Sequence, residues 1–139
     1  MQRDLGLYGN SFVKPARAAA YGPAHREEFL ILDDLLLDEQ GLVPWGRDLA
    51  THALNGRFGN TMLVNGETGW RANVRRGDVV RFFLTNASNT RTFNLSFGAG
   101  ARMKLVGSDL GNYAREAWVE SVVIAPAERY VVDVRFERA

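Results

Sequence analysis

Apolar and polar residues alternate with a period of two in several short runs of this chain. Thr92-Phe93-Asn94-Leu95-Ser96-Phe97 sets Phe93, Leu95 and Phe97 on one side and Thr92, Asn94 and Ser96 on the other, as in a half-buried strand. Val79 to Thr85 reads as a longer strand, with Val80, Phe82 and Leu84 on one face and Val79, Arg81, Phe83 and Thr85 on the other. Tyr130 to Phe136 places Tyr130, Val132, Val134 and Phe136 together. Met62-Leu63-Val64 is a strand that stops at Asn65-Gly66, a dipeptide suited to a tight turn because both residues tolerate positive φ. Trp70 to Val74 also alternates, and Arg76-Gly77-Asp78 then turns the chain. Met103–Val106 and Trp118–Ile124 add two more strands, the second closed by Pro126.

Glu28 to Leu37 is nearly continuous in apolar residues, so periodicity alone does not assign it; its length and the adjoining turn residues favour a buried strand. Residues 38–50, with Gly41, Pro44, Trp45 and Gly46, read as a loop. No helical period exceeds two turns, with residues 110–117 the one candidate exception. Lys14 to Pro23 begins and ends near proline without an apolar period and reads as a linker. About seven or eight short strands, with turn signals every 8–12 residues, predict an all-β sandwich or barrel. No internal repeat interrupts the pattern.

Composition narrows the chemistry. The 139 residues suit one domain, and 17 basic against 16 acidic residues give no electrostatic reason to expect nucleic acid or an anionic membrane as partner. No apolar run approaches the roughly 20 residues of a membrane helix. Gln2, Arg3 and Asp4 follow Met1 directly, so no signal peptide is expected within this chain, and the compartment stays open. Cysteine is absent, which removes disulfides, thiolate nucleophiles and the thiolate that a blue-copper centre requires.

Certain segments resemble a known family. Leu63-Val64-Asn65-Gly66, then Val74 to Phe82 with Arg76-Gly77-Asp78 inside it, then Leu84-Thr85-Asn86-Ala87-Ser88, are similar to the second domain of laccase-type multicopper oxidases. Gly107-Ser108-Asp109 and Ile124-Ala125-Pro126-Ala127-Glu128-Arg129-Tyr130 extend the likeness in the same order, from about residue 28 to 137. Each motif is weak alone; the ordered set is specific. The resemblance implies a Greek-key β-sandwich of cupredoxin-like fold over residues 28–139. Residues 1–27 would then be an N-terminal segment and linker, with Leu5 to Gly9 resembling the close of the family's first domain.

The parent enzyme implied is a copper-dependent oxidase that couples substrate oxidation to reduction of O2, in a family often periplasmic or secreted. The middle domain would carry no copper ligand and no catalytic residue. It would space the flanking cupredoxin domains, its expected partners, and alone it would be a monomer or weak oligomer. Copper ligands would lie outside this chain, in a His-x-His before residue 1 and a His-Cys-His cluster after residue 139. Departures from the family pattern are also present. Ala127 stands where the family usually has Gly, which implies a turn without positive φ. Asn10, Ser11 and Asn55 replace apolar residues, which suits a second reading: an engineered stand-alone scaffold or binding domain resurfaced for solubility, with those side chains exposed.

Residues able to carry chemistry are few. His25 and His52 are the only histidines. Carboxylates such as Glu27, Glu28 or Asp48 would have to complete a weak metal site, but the spacing is wrong for a compact motif, so surface histidines are expected. Ser108 and Ser121 lack a histidine partner. Asp33-Asp34 is read as a solvated strand end rather than a catalytic pair. Arg76-Gly77-Asp78 matches an adhesive tripeptide but is explained by a turn, and Trp45, Trp70 and Trp118 are read as packing residues. The residues singled out are turn formers and braces: Asn65, Gly66, Gly77, Asn86, Arg91, Asp109, Glu128 and Arg129. Asn86 and Arg91 are expected to brace the 86–91 turn, and Glu128-Arg129 to clamp neighbouring loops.

Overall fold

Residues 6–14, 16, 21–98 and 101–138 are described in the computed structural model. In chain order the strands are β1 (Arg26–Leu35), β2 (Leu37–Asp38), β3 (Gly41–Leu42), β4 (Thr61–Val64), β5 (Val79–Asn86), β6 (Phe93–Leu95), β7 (Ala101–Ser108), β8 (Gly111–Val119), β9 (Val122–Ile124) and β10 (Arg129–Phe136). A 3-10 turn (Trp45–Asp48) and a short helix, α1 (Leu49–Asn55), lie between β3 and β4.

Six strands form one sheet in the order β4-β1-β5-β10-β7-β8, and β6 pairs with β9 in a second, two-stranded sheet. β1 and β5 run parallel, and the other pairs are antiparallel. The large sheet therefore has two ends. Arg26 and Val79 begin their strands at one end, where β10 finishes; Leu35 and Asn86 finish at the other, where β4 and β10 begin.

The core lies between the two sheets. Leu30, Leu32, Val80, Phe82, Leu84, Met103, Val132 and Val134 from the large sheet meet Val122 and Ile124 of β9. Phe93, Leu95 and Phe97 pack against them half-buried, and the Phe97 ring lies 4.8 Å from that of Phe82. Val80, Phe82, Leu84, Phe93, Leu95, Phe97, Val132 and Val134 are the inward positions that the alternation predicts. Burying a side chain of this size stabilises the fold by about 1.5–3 kcal/mol.

The architecture is the all-β sandwich expected, and it corrects the sequence reading in several places. Residues 110–117 are not helical: they belong to β8, an edge strand held by β7, whose residues Gly111–Trp118 are all exposed. Pairing with a neighbour overrides the weak local period. Residues 118–124 are not one strand, because the chain leaves the large sheet at Val119 and enters the small one at Val122. The loop read over 38–50 contains the β2–β3 hairpin and leads into α1. Residues 70–74 alternate in burial but pair in no strand.

Gly59 shows how closely the segments approach. A Cβ there would lie 2.6 Å from the Leu35 backbone, so only glycine lets this loop cross the end of β1.

Candidate functional site

The side chains singled out as braces sit mostly at the Leu35 end of the large sheet. Asn86, fully buried at the end of β5, donates from Nδ2 to the Arg91 and Ile124 carbonyls at 2.8 Å each. Its Oδ1 accepts from the Ser88 amide at 2.9 Å and the Ser88 hydroxyl at 2.7 Å. One amide thus joins the 86–91 turn to β9. Arg91 reaches away from its own turn: Nε donates to Asp34 Oδ2 at 2.8 Å, and Nη2 to the Gly59 carbonyl at 2.6 Å. The same Asp34 oxygen accepts from the Gly59 amide at 2.6 Å.

Beside it, the buried Arg57 donates to the Val43 carbonyl and lies 5.7 Å from the Trp45 ring centre. Asp33 accepts from the Tyr8 hydroxyl. The expectation that Asp33 and Asp34 form a solvated strand end is therefore wrong: both are buried, because residues far along the chain fold over them. Arg57 and Gly59 are members of this cluster that sequence reading did not name, while Ser88 was named only within a family motif and Asp34 only as part of a strand end. The one local signal was two adjacent carboxylates ending an apolar run.

The 125–128 turn packs on the same end. The Ala127 amide donates to the Asn86 carbonyl at 2.9 Å, and Glu128 Oε2 accepts from the Ala125 amide at 2.7 Å. Ala127 has a φ of 69°, so the expectation of a turn without positive φ is overturned. The hydrogen bonds on either side hold it in a region that costs a non-glycine residue about 1–2 kcal/mol. Arg129 grips Asp109 through both its amide, at 3.1 Å, and its Nε, at 2.5 Å.

The remaining turn formers lie elsewhere. Asn65, with a φ of 53°, and Gly66, with 81°, close the turn after β4, and the Asn65 amide side chain pairs with the Ile31 amide and the Phe29 carbonyl of β1. Gly77, with a φ of 91°, turns the chain at the opposite end of the sheet, and its amide donates to the Phe136 carbonyl at 2.7 Å. Gly77 and Asn65-Gly66 are thus separate from the cluster around Asn86 and Asp34. The tripeptide Arg76-Gly77-Asp78 is part of this turn, where Asp78 Oδ2 accepts from the Arg75 amide at 2.8 Å.

A second buried polar group lies on the outer face of the sheet. Arg81 and Asp133 form a bidentate pair, with both contacts at 2.8 Å. Arg81 also donates to the Gly22 carbonyl and lies 4.7 Å from the Tyr21 ring centre. The row continues across four strands with alternating sign, from Glu27 to Arg81, Asp133 and Lys104, and Lys104 meets Glu116 of β8 at 2.5 Å.

The histidines are not gathered with other donors. His25 Nδ1 accepts the Val79 amide at 2.9 Å, and His52 Nδ1 lies 3.2 Å from the Trp45 carbonyl. Among the described residues, no three His, Cys, Asp or Glu side chains come together as metal ligands would. With no thiolate in the sequence, the donor set does not fit a blue-copper centre, and Nδ1 of His25 is taken up by a backbone amide.

Together the two sheets and their apolar interior define a cupredoxin-like β-sandwich. Residues 29–139 match the multicopper oxidase family, and the chain belongs to it. It is 37% identical over 100 residues to the cell division protein FtsP of Proteus mirabilis, an alignment that takes in 72% of this chain and 20% of that protein. It is 42% identical over 78 residues to a laccase of Bacillus subtilis, covering 56% of this chain and 15% of the laccase. A crystal structure of a laccase from Pediococcus acidilactici superposes with a TM-score of 0.68 at 26% identity, over 80% of this chain and 23% of that one. A variant of the McoA multicopper oxidase of Aquifex aeolicus gives 0.67 at 30% identity, over 81% and 24%. The chain thus spans about a fifth or less of the two curated relatives named here. Among the described residues, no helix is long and apolar enough to cross a membrane.

Proposed function

We propose that this chain is the copper-free middle domain of a three-domain multicopper oxidase, with residues 28–139 as the cupredoxin-like body and 1–27 as the segment and linker from the preceding domain. Its role is positional. A rigid sandwich fixes the separation and orientation of flanking domains that carry the copper, while its own residues neither bind the metal nor touch substrate. The single observation that carries this reading is the missing thiolate in a chain that otherwise belongs to the family. Copper, when bound in the parent, supplies the electron transfer. This chain supplies braced strand ends, with Asn86, Arg91, Asp109, Glu128 and Arg129 holding the turns that would face neighbours.

The test has two arms. Copper added to the purified chain is expected to give no blue absorbance, and an intense blue band would overturn the reading. Removing residues 28–139 from the longer polypeptide is expected to abolish assembly of its copper cluster while this piece still folds alone.

A second reading, a stand-alone scaffold engineered from such a domain, draws support from Asn10, Ser11 and Asn55, all exposed. Against it stand Leu49, Leu54 and Phe58, large apolar side chains left in solvent, which a resurfaced scaffold would have replaced. Sedimentation of the purified chain separates the two: a monomer at all concentrations favours the scaffold, and concentration-dependent association favours a domain with uncovered contact surfaces.

A further inference from the structure

The sequence contains Asn-Gly twice, at Asn55-Gly56 and at Asn65-Gly66. In water this dipeptide can react within itself, because glycine has no side chain to shield its amide nitrogen. That nitrogen gives up its proton to solvent base and attacks Cγ of the asparagine. A new N–C bond closes a cyclic imide. The bond from Cγ to Nδ2 breaks, and Nδ2 takes a proton from water and leaves as ammonia. Water then opens the ring at either carbonyl, giving aspartate or isoaspartate. Local sequence makes the two sites alike; the fold does not.

Asn65 is held at both ends of its carboxamide. Oδ1 accepts from the Ile31 amide at 2.8 Å, and Nδ2 donates to the Phe29 carbonyl at 3.0 Å. Its backbone amide donates to the Ile31 carbonyl at 2.8 Å, and Val64 and Glu67 exchange bonds of 2.9 and 3.0 Å around the turn. The turn must open before Cγ can meet the Gly66 nitrogen. Asn55 is placed differently. It is the last residue of α1 and exposed, and among the described residues its carboxamide has no partner. A helical backbone holds the following amide away from the side-chain carbon, so the reaction here requires that the last turn fray. α1 resists fraying poorly: it has 7 residues, none of them buried, and no side-chain capping bond at its start.

We infer that Asn55 is a site of spontaneous modification in the folded protein, converting to aspartate and isoaspartate, whereas the fold protects Asn65. The product acts on its surroundings. A carboxylate at the C-terminal end of a helix opposes the helix dipole. Isoaspartate also lengthens the backbone immediately before Gly56, which has little room to shift: a Cβ there would lie 2.1 Å from Thr90 Oγ1. The next amide, of Arg57, donates to that same oxygen at 2.9 Å and to Asn89 Oδ1 at 3.2 Å. The modification therefore loosens α1 and the Arg57 anchor and leaves the two sheets intact.

Ageing the purified chain in mildly alkaline buffer, followed by peptide mapping with mass spectrometry, tests this. Asn55 is expected to lose ammonia about tenfold or more faster than Asn65, because two side-chain hydrogen bonds must open at Asn65 and none at Asn55. In the urea-unfolded chain the two rates are expected to converge, which separates protection by the fold from any effect of flanking residues. Asn55→Gln, which would have to close a larger ring, is expected to abolish the fast conversion without moving the melting temperature. Hydrogen exchange in the aged protein is expected to quicken in α1 and at Arg57, with β5 and β10 unchanged. Equal rates in the folded chain, or a ratio that persists in urea, would overturn the inference. Unchanged exchange in α1 after conversion would overturn its structural consequence.

Discussion

Val80, Phe82 and Leu84 of β5 point into the sandwich and are fully buried among aliphatic and aromatic side chains. The residues between them, Arg81, Phe83 and Thr85, are covered in another way. Arg81 is enclosed by Asp133, Tyr21 and the Gly22 carbonyl. Phe83 stacks on Phe29 at 4.8 Å and lies the same distance from Phe12. Thr85 donates to Asn10 at 2.9 Å. One face is a conventional core between two sheets. The other is only partly covered, by residues 7–13, in which Tyr8, Asn10 and Phe12 touch the sheet yet stay exposed, and Leu7 and Val13 are more exposed still. The first face is stabilised by non-directional burial, and the second by particular pairs that each need a partner in place.

That contrast can be broken most severely from inside. Phe82→Ala is expected to cost about 3–5 kcal/mol, because it removes a ring from the centre of the core and leaves a cavity. Urea denaturation would show the midpoint falling steeply. On the outer face, Arg81→Ala is expected to cost a similar or slightly smaller amount, about 3 kcal/mol, by leaving Asp133 buried and unpaired. The double variant Arg81→Met/Asp133→Leu is expected to recover most of that loss. If the double variant proved no better than the single, the outer face would owe its stability to the pair itself rather than to avoiding a lone charge.

A smaller effect is expected where the two faces meet a strand end. Asn86→Ala removes one amide that serves two carbonyls and the Ser88 amide, and should cost about 2–3 kcal/mol. Thermal melts would read it, and hydrogen exchange should quicken first in the 86–91 turn.

The smallest effect concerns the segment. Burial, then the hydrogen bond to Asp33, push the Tyr8 phenol well above the ordinary tyrosine value of 10.0. The folded state therefore favours the neutral phenol. Its contribution is complete below about pH 10 and is lost as the pH rises beyond that value. Tyr8→Phe should lower stability at neutral pH by about 1 kcal/mol or less and should flatten the alkaline limb of the stability curve. An alkaline limb unchanged in Tyr8→Phe would show that the hydroxyl does not hold the segment down.

The inner face was legible because its rule is local. Alternation at Phe93, Leu95 and Phe97, and at Val132 and Val134, marks core positions without knowledge of any partner. The turns at Asn65-Gly66 and Gly77 were legible for a similar reason, since positive φ selects a short list of residues. Ala127 escaped that logic because its conformation is imposed by the bond its amide donates to the Asn86 carbonyl and by the bond the Glu128 amide donates to the Ala125 carbonyl, not by its own preference. Asp33 and Asp34 escaped it as well. Their burial depends on Tyr8, Gly59 and Arg91, at sequence separations of 25 to 57 residues. The alternative of helix for 110–117 failed because pairing with β7 decides the conformation of an exposed edge strand.

By itself, the sequence determined the sandwich, its core positions and the lack of a thiolate, for these follow from periodicity and residue type. Only the tertiary structure decided which charges are buried, what covers the outer face and which apolar side chains stand uncovered. Those depend on pairs of residues brought together from distant parts of the chain, and no single stretch carries the information about its partner.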